Sequence, residues 1–449
     1  MRSPLAAACL VLAVAAGCSR EPEGPPDLLL VTVDTLRADR LACYGGPPDV
    51  GTAICGLADG GTRFAWAFSA ASHTAPSMAS MLTSLYPSYH AVSQQARSAL
   101  RPDSLSVAQV LRRAGYHTAA FVSNPVLDRG RRFGRGFEIY DTRMPDHERN
   151  RRRAYERGAE DTTDAVLEWA VRRPRRPFFV WVHYQDPHGP YDAPGAAPVR
   201  DEPGEPTLAV LERHSGLGGI PAYQALPGLH TQAAYEKRYL DEIRYLDRHV
   251  ARLFEGLEEL ELRPAVLFSA DHGEAFGEDG FFFAHGHSVS LDQIRVPLLW
   301  RPRRPGPSRV LKTPVSLVDV APTLLGLAGI AAPEGFQGRT LPLDAEGEAA
   351  DGRPIFAEHR RRVAVIEGDA YWTREREPDA ARPWYPGRSA RLAGDAALPP
   401  YAPAGGEPPA LEPILARFLA EAASAPPGAL DAEVGDEFRA QLEALGYAE

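Results

Sequence analysis

Lysine is nearly missing from this 449-residue chain. Lys237 and Lys312 are the only two, so its 49 basic side chains are almost all arginine. Acidic residues number 59, and the resulting net charge of −10 argues against general nucleic-acid binding. Cysteine is scarce too. Cys9 and Cys18 lie near the start, while Cys43 and Cys55 have no adjacent histidine or lysine, which argues against a catalytic thiol. The latter two either pair across their short loop in an oxidising compartment or remain reduced and buried. Past the N-terminal segment, no apolar run approaches the roughly 20 residues of a membrane-spanning helix.

What is present divides readily. Met1-Arg2, an apolar stretch from Leu5 to Ala16 and Gly17-Cys18 describe a secretory signal over 1–17. Ala15-Ala16-Gly17-Cys18 resembles a bacterial lipobox, which would put a lipid on Cys18 and hold an exported protein at the cell envelope, periplasmic or outer-membrane. A Pro- and Glu-rich tether fills 18–27. A large α/β domain is expected over 28–350 and a small C-terminal subdomain over 351–449, where strand signals weaken and prolines interrupt. Arginines crowd between Arg129 and Arg176. They read as a solvated, partly helical face, with a docking strip for a polyanionic substrate as the alternative.

Three apolar runs end on acidic or Asp-His tips: Leu28 to Asp34, Phe178 to Asp186, and Ala265 to Asp271-His272. Such runs predict strands buried on both faces in a mostly parallel sheet flanked by helices. In open α/β sheets the ligand crevice lies beyond the carboxyl ends of the strands. Three carboxylates converging there need a cation to offset their burial; otherwise each merely caps a following helix. Helices are expected at 77–85, 106–114, 161–171, 233–260 and 318–327, with further strands at 117–123, 296–300, 363–366 and 371–373. The stretch 191–230, rich in Pro, Gly and Ala, reads as an irregular insertion over the rim of the site. Thr74 stands just ahead of a helix start. It serves either as a cap or, beside a divalent cation, as a hydroxyl nucleophile.

The order of the motifs carries a resemblance. Val31-Thr-Val-Asp34-Thr-Leu-Arg37, Thr74-Ala-Pro76-Ser77 with Leu82-Thr83, Asp186-Pro187-His188-Gly189, Asp271-His272-Gly273-Glu274 and His285-Gly286-His287 together resemble the sulfatase family of the alkaline phosphatase superfamily. The likeness covers most of residues 28–345 and implies that family's α/β fold and a hydrolase of sulfate or phosphate-type esters. It implies one divalent metal (Ca, Zn or Mn) on Asp34, Asp271, His272 and Thr74, with Thr74 also in the nucleophile position. His188, His285 and His287 would assist catalysis, and His73, Asp186 and Arg37 would bind an anionic small-molecule or glycan ester. A second metal on Asp186 and the histidines is a further expectation by analogy with two-metal phosphodiesterases.

The departures redirect the chemistry. Threonine cannot become the formylglycine that sulfatases make from Cys or Ser. Met78 replaces the signature Arg, Ser84 the signature Gly and Thr35 a second Asp, and neither lysine falls in a matching motif. The pattern resembles the superfamily's Thr-dependent phosphodiesterases, phosphonate hydrolases and phosphoethanolamine transferases. Two other outcomes stay open: transfer of a phosphoethanolamine-type group to an envelope glycan, or an inactive lipoprotein that binds anionic glycan.

Overall fold

The computed structural model describes residues 24–93, 98–212, 215–343, 352–376, 387–394, 397–401 and 410–425. The signal, most of the tether and Cys18 lie outside these residues, as does the C-terminal run Leu442-Glu-Ala-Leu-Gly-Tyr447, whose pattern predicts an amphipathic helix.

The buried runs form the centre of one large twisted sheet. Its order is Arg309–Leu311, Thr62–Phe68, Arg295–Arg301, Ala265–Ala270, Leu28–Val33, Phe178–Tyr184, His117–Val122 and Ile139–Asp141. Leu28–Val33 pairs in parallel with both Ala265–Ala270 and Phe178–Tyr184. Only Arg295–Arg301 runs against its neighbours, pairing antiparallel with Ala265–Ala270 and Thr62–Phe68. This is the mostly parallel α/β sheet expected. Thr62–Phe68 was not anticipated as a strand, although Phe64, Trp66 and Phe68 alternate with a period of two.

Helices cover both faces. Gln232–Glu259 starts on Thr231, whose hydroxyl accepts from the Ala234 amide, and it buries Tyr239, Ile243, Leu246, Val250, Leu253 and Leu257. Ala159–Val171 lies beside it. Thr74–Thr83 is buried along its whole length, so its first turn sits on a rigid platform. No helix among the described residues is long and apolar enough to cross a membrane.

A four-stranded antiparallel sheet follows, Ile355–Glu358, Arg362–Glu367, Ala370–Glu375 and Arg388–Arg391. Its two faces alternate strictly. Ile355, Ala357, Ala364 and Ile366 pack on Trp66, Phe68 and Ile294, while Phe356, Val363 and Val365 meet Tyr86, Leu415 and Phe418. Cys43 and Cys55 form a disulfide, settling their alternative. The arginine-rich stretch is mainly the solvated face expected, with Arg129, Arg143, Arg149, Arg172, Arg173, Arg175 and Arg176 exposed, and two of its arginines depart from it. Arg131 is buried, donating to the carbonyls of Ser98, Val126 and Ser93, and Arg157 is buried against Ser123 and Asp141.

Candidate active site

Strand register decides which side chains meet. Val33 lies opposite both Ala270 and Tyr184, so Asp34, Asp271 and Gln185 come level just past the strand ends. The Asp34 amide donates to Tyr184 and the Asp271 amide to Val33, holding that register. Asp186 is one residue further on, and successive side chains point to opposite faces. The expected convergence of three carboxylates is therefore one of two. Asp34, Asp271 and His272 gather one donor atom each within 4.8 Å of one another, all buried, and Asp186 is not part of that group.

Thr74 completes the cluster. Its Oγ1 lies 3.3 Å from Asp34 Oδ2 and 3.3 Å from His272 Nε2. It is the first residue of its helix, not the cap; that place belongs to His73, which makes no side-chain cap. The free amides and the positive end of the helix dipole face this point.

The tautomer of His272 follows from its partner. Nδ1 sits 2.9 Å from the Gly273 carbonyl, which can only accept, so Nδ1 carries the hydrogen. Burial, with His285 adding to it, drives the ring well below the usual imidazole range. The ring is thus neutral, and Nε2 turns a bare lone pair to Thr74, Asp34 and Asp271, as a metal ligand requires. Among the described residues, Asp34 Oδ1 and Asp271 Oδ2 are buried without a hydrogen-bond partner, and so is Thr35 Oγ1. Burial pushes Asp34 up to about 8, against the lowering effect of its Asn124 hydrogen bond. Two oxygen donors and one imidazole nitrogen, with orphaned oxygens between them, fit a divalent cation.

Around this centre stand other histidines. The His285 ring lies 4.6 Å from His272 and 5.4 Å from His73, and His188 lies 5.2 Å from His285. All are held below the usual range, chiefly by burial, with His285 at about 3. Gly286 makes this packing feasible: it adopts φ 72°, and a Cβ there would come within 2.0 Å of the His73 ring. His287 lies apart, stacked on Phe281 at 5.3 Å. Arg37 also differs from its expected role. Its guanidinium is buried and spends its donors on Asp39, Glu278 and the Glu274 carbonyl.

Four neighbours escaped the sequence reading. Asn124 Nδ2 donates to Asp34 Oδ2 at 2.5 Å, its amide oriented by Oδ1 accepting from the Val126 amide. His183 lies 3.9 Å from Asp34 Oδ2 and is fixed at Nδ1 by Thr32. Glu274 holds His285 Nδ1 at 3.1 Å, although its Asp-His-Gly-Glu setting could have signalled it. Arg151 comes from the hairpin Asp146–Glu148 and Arg151–Glu156, is anchored on Glu148 and lies 4.4 Å over the Tyr223 ring. After burial, its charge is what depresses His285.

Comparison with known proteins places these features in context. The sequence model of one family, Sulfatase, matches residues 26–330. An uncharacterised sulfatase of Escherichia coli is 26% identical over 357 residues, 70% of each chain. An ulvan-active sulfatase of Formosa agariphila is 25% identical, over 70% of this chain and 64% of its own. A solved phosphonate monoester hydrolase of Agrobacterium radiobacter shares the fold at a TM-score of 0.67 and 18% identity, covering 94% of this chain and 98% of its own.

Proposed function

This chain belongs to the sulfatase family of ester hydrolases, and on that premise we propose that it is a metal-dependent member that opens sulfate- or phosphate-type esters with Thr74 as nucleophile. The observation that carries this reading is the hydroxyl itself, seated 3.3 Å from both Asp34 and His272 in a buried donor cluster. Asp34, Asp271 and His272 would hold the metal, whose positive charge, when bound, makes the hydroxyl more acidic and offsets the anionic ester.

The chain's own groups supply the remaining steps. The Thr74 proton passes to Asp34 Oδ2, its acceptor. The Thr74 oxygen attacks sulfur or phosphorus, and the bond to the alcohol oxygen breaks. Burial pushes Glu274 up to about 8, so its carboxyl can hold a proton against His285 Nδ1; as the ester breaks, that proton moves onto Nδ1 and the ring passes its Nε2 proton to the leaving oxygen. Water then attacks the same sulfur or phosphorus, and the Thr74 oxygen leaves and recovers its proton. Thr74 has one hydroxyl only, so release requires this second displacement, which favours phosphate or phosphonate esters. Arg151 and His73 would meet the anionic oxygens, work for which the chain offers no matching lysine; the effect of the Arg151 charge on His285 supports this.

A panel of aryl sulfate, phosphate monoester, phosphodiester and phosphonate substrates, each with added Ca, Zn or Mn, tests this. Thr74→Ala should lose about 10³-fold or more in kcat on the preferred ester, while Thr74→Ser keeps measurable turnover. Equal rates for wild type and Thr74→Ala would remove the nucleophile assignment. Export with a lipid on Cys18 belongs to the same reading, supported by a disulfide suited to an oxidising compartment, as does the division into a catalytic domain over 28–350 and a small C-terminal subdomain.

A further inference from the structure

Asp186, displaced from the metal cluster by the strand register, opens onto a separate cavity of about 430 Å³. Glu156, Gln185, Glu242, Tyr245 and His188 share its wall. His188 also lies 5.2 Å from His285, so a group seated here is one ring away from the centre where the ester would break.

The charge on this wall is not balanced from within. Two arginines also line the cavity, but Arg149 is paired with Asp192 and Arg157 with Asp141. Glu156 and Glu242 make no ion pair with any described residue. Gln185 is only 7% exposed, yet among the described residues its Oε1 has no hydrogen-bond partner, and neither has Asp186 Oδ2. Burial pushes Asp186 up to about 6, against its hydrogen bond with Glu242, and burial with repulsion from Glu148, Asp186 and Asp146 pushes Glu156 up to about 8. A positive ligand would relieve all of these at once.

The spacing argues against a bare metal ion. Among the described residues, only Asp34, Asp271 and His272 draw three donor atoms within 4.8 Å of one another. Carboxylates spread around a volume of this size, with the Tyr245 and His188 rings beside them, suit a larger and softer cation.

We propose that this cavity is a subsite for an organic ammonium group carried on the alcohol part of the ester. It rests on the hydrolase reading and narrows its substrates to zwitterionic esters of amino alcohols. Specificity would come from the carboxyl groups, which a neutral alcohol leaves without a cationic partner.

The test compares choline and ethanolamine esters with 3,3-dimethylbutyl esters, the neutral isostere of choline, each as sulfate and as phosphate. Wild type should favour the ammonium esters in kcat/KM by about 10-fold or more. In Glu156→Gln and Glu242→Gln that ratio should fall toward one. The Glu156 variant, on a half-buried hairpin, guards against a folding defect from altering the buried Glu242. Calorimetry with choline alone on the full chain gives an independent readout. Choline binding that Glu156→Gln abolishes, without turnover of any ester, would support the subsite and remove the hydrolase reading. Ester turnover with a ratio near one and no choline binding would overturn the subsite and leave the hydrolase reading standing.

Discussion

Replacing Asp271 by asparagine should separate stability from metal binding. Asp271 Oδ1 accepts from the His272 amide at 2.7 Å and the Thr35 amide at 3.3 Å, and an asparagine oxygen can accept both. Oδ2 has no partner and faces the bare His272 Nε2 at 3.6 Å, so an asparagine NH₂ there gains an acceptor. The substitution also ends repulsion between two carboxylates whose donor atoms lie within 4.8 Å. At 4.8 Å and an effective dielectric of about 20 that repulsion is about 3.5 kcal/mol for two full charges, and less in the metal-free protein, where burial raises both carboxyl groups. Unfolding entropy of about 2.1 cal/mol/K per residue gives about 0.9 kcal/mol/K for this chain, so metal-free Asp271→Asn should melt up to about 3 °C higher than metal-free wild type. Metal at about 100 times its Kd adds about 2.7 kcal/mol, which should raise wild type by another 3 °C or so and leave the variant unmoved. Scanning calorimetry after chelation, then with Ca, Zn or Mn restored, measures both shifts. A variant that melts lower without metal and still gains from it would refute the placement of the metal between Asp34 and Asp271.

Glu274→Gln should lower kcat by about 10- to 100-fold while metal affinity stays within about threefold, since it disturbs the orientation of His285 and no metal donor; steady-state kinetics with calorimetric metal titration checks this, and an unchanged kcat would sink it. His90 provides a pH test on a ring that is not among the Asp34, Asp271 and His272 donors. Its Nδ1 accepts from the Val92 amide, its Nε2 lies 3.0 Å from Ser80 Oγ, and burial lowers it to about 3. The unfolded chain takes up that proton first, near pH 6.5, so the stability His90 confers is complete above that pH and drains away as pH falls toward 3. The loss should reach about 2 kcal/mol at pH 5. Denaturant melts of His90→Gln should show a shallower acid decline than wild type, and parallel curves would refute the assignment.

The strands and the Asp34, Asp271 and His272 cluster at their ends were readable for a simple reason. Leu28–Val33, Phe178–Tyr184 and Ala265–Ala270 are buried on both faces, so their apolar runs stand out, and the polar residues that follow must face the crevice. Register was not readable. A one-residue offset makes Gln185 the residue level with Asp34 and Asp271 and sends Asp186 elsewhere, and no local pattern encodes that offset. Thr74 read locally as either a cap or a nucleophile; its place as first residue of the helix, beside Asp34 and His272, rests on contacts across the chain. Asn124, His183 and Arg151 come from segments without motif value. Their roles arise from packing around Asp34 and His285, which depends on the whole fold.

The disulfide between Cys43 and Cys55 fastens the loop that runs on from the strand bearing Asp34, and the short helix Thr52–Gly56 within it is docked on Asp247 of the long helix. Thiol reductants, a routine ingredient of purification buffers, thus act on the footing of that strand. A batch kept in them and a batch matured in air are two different starting materials before any substrate is added.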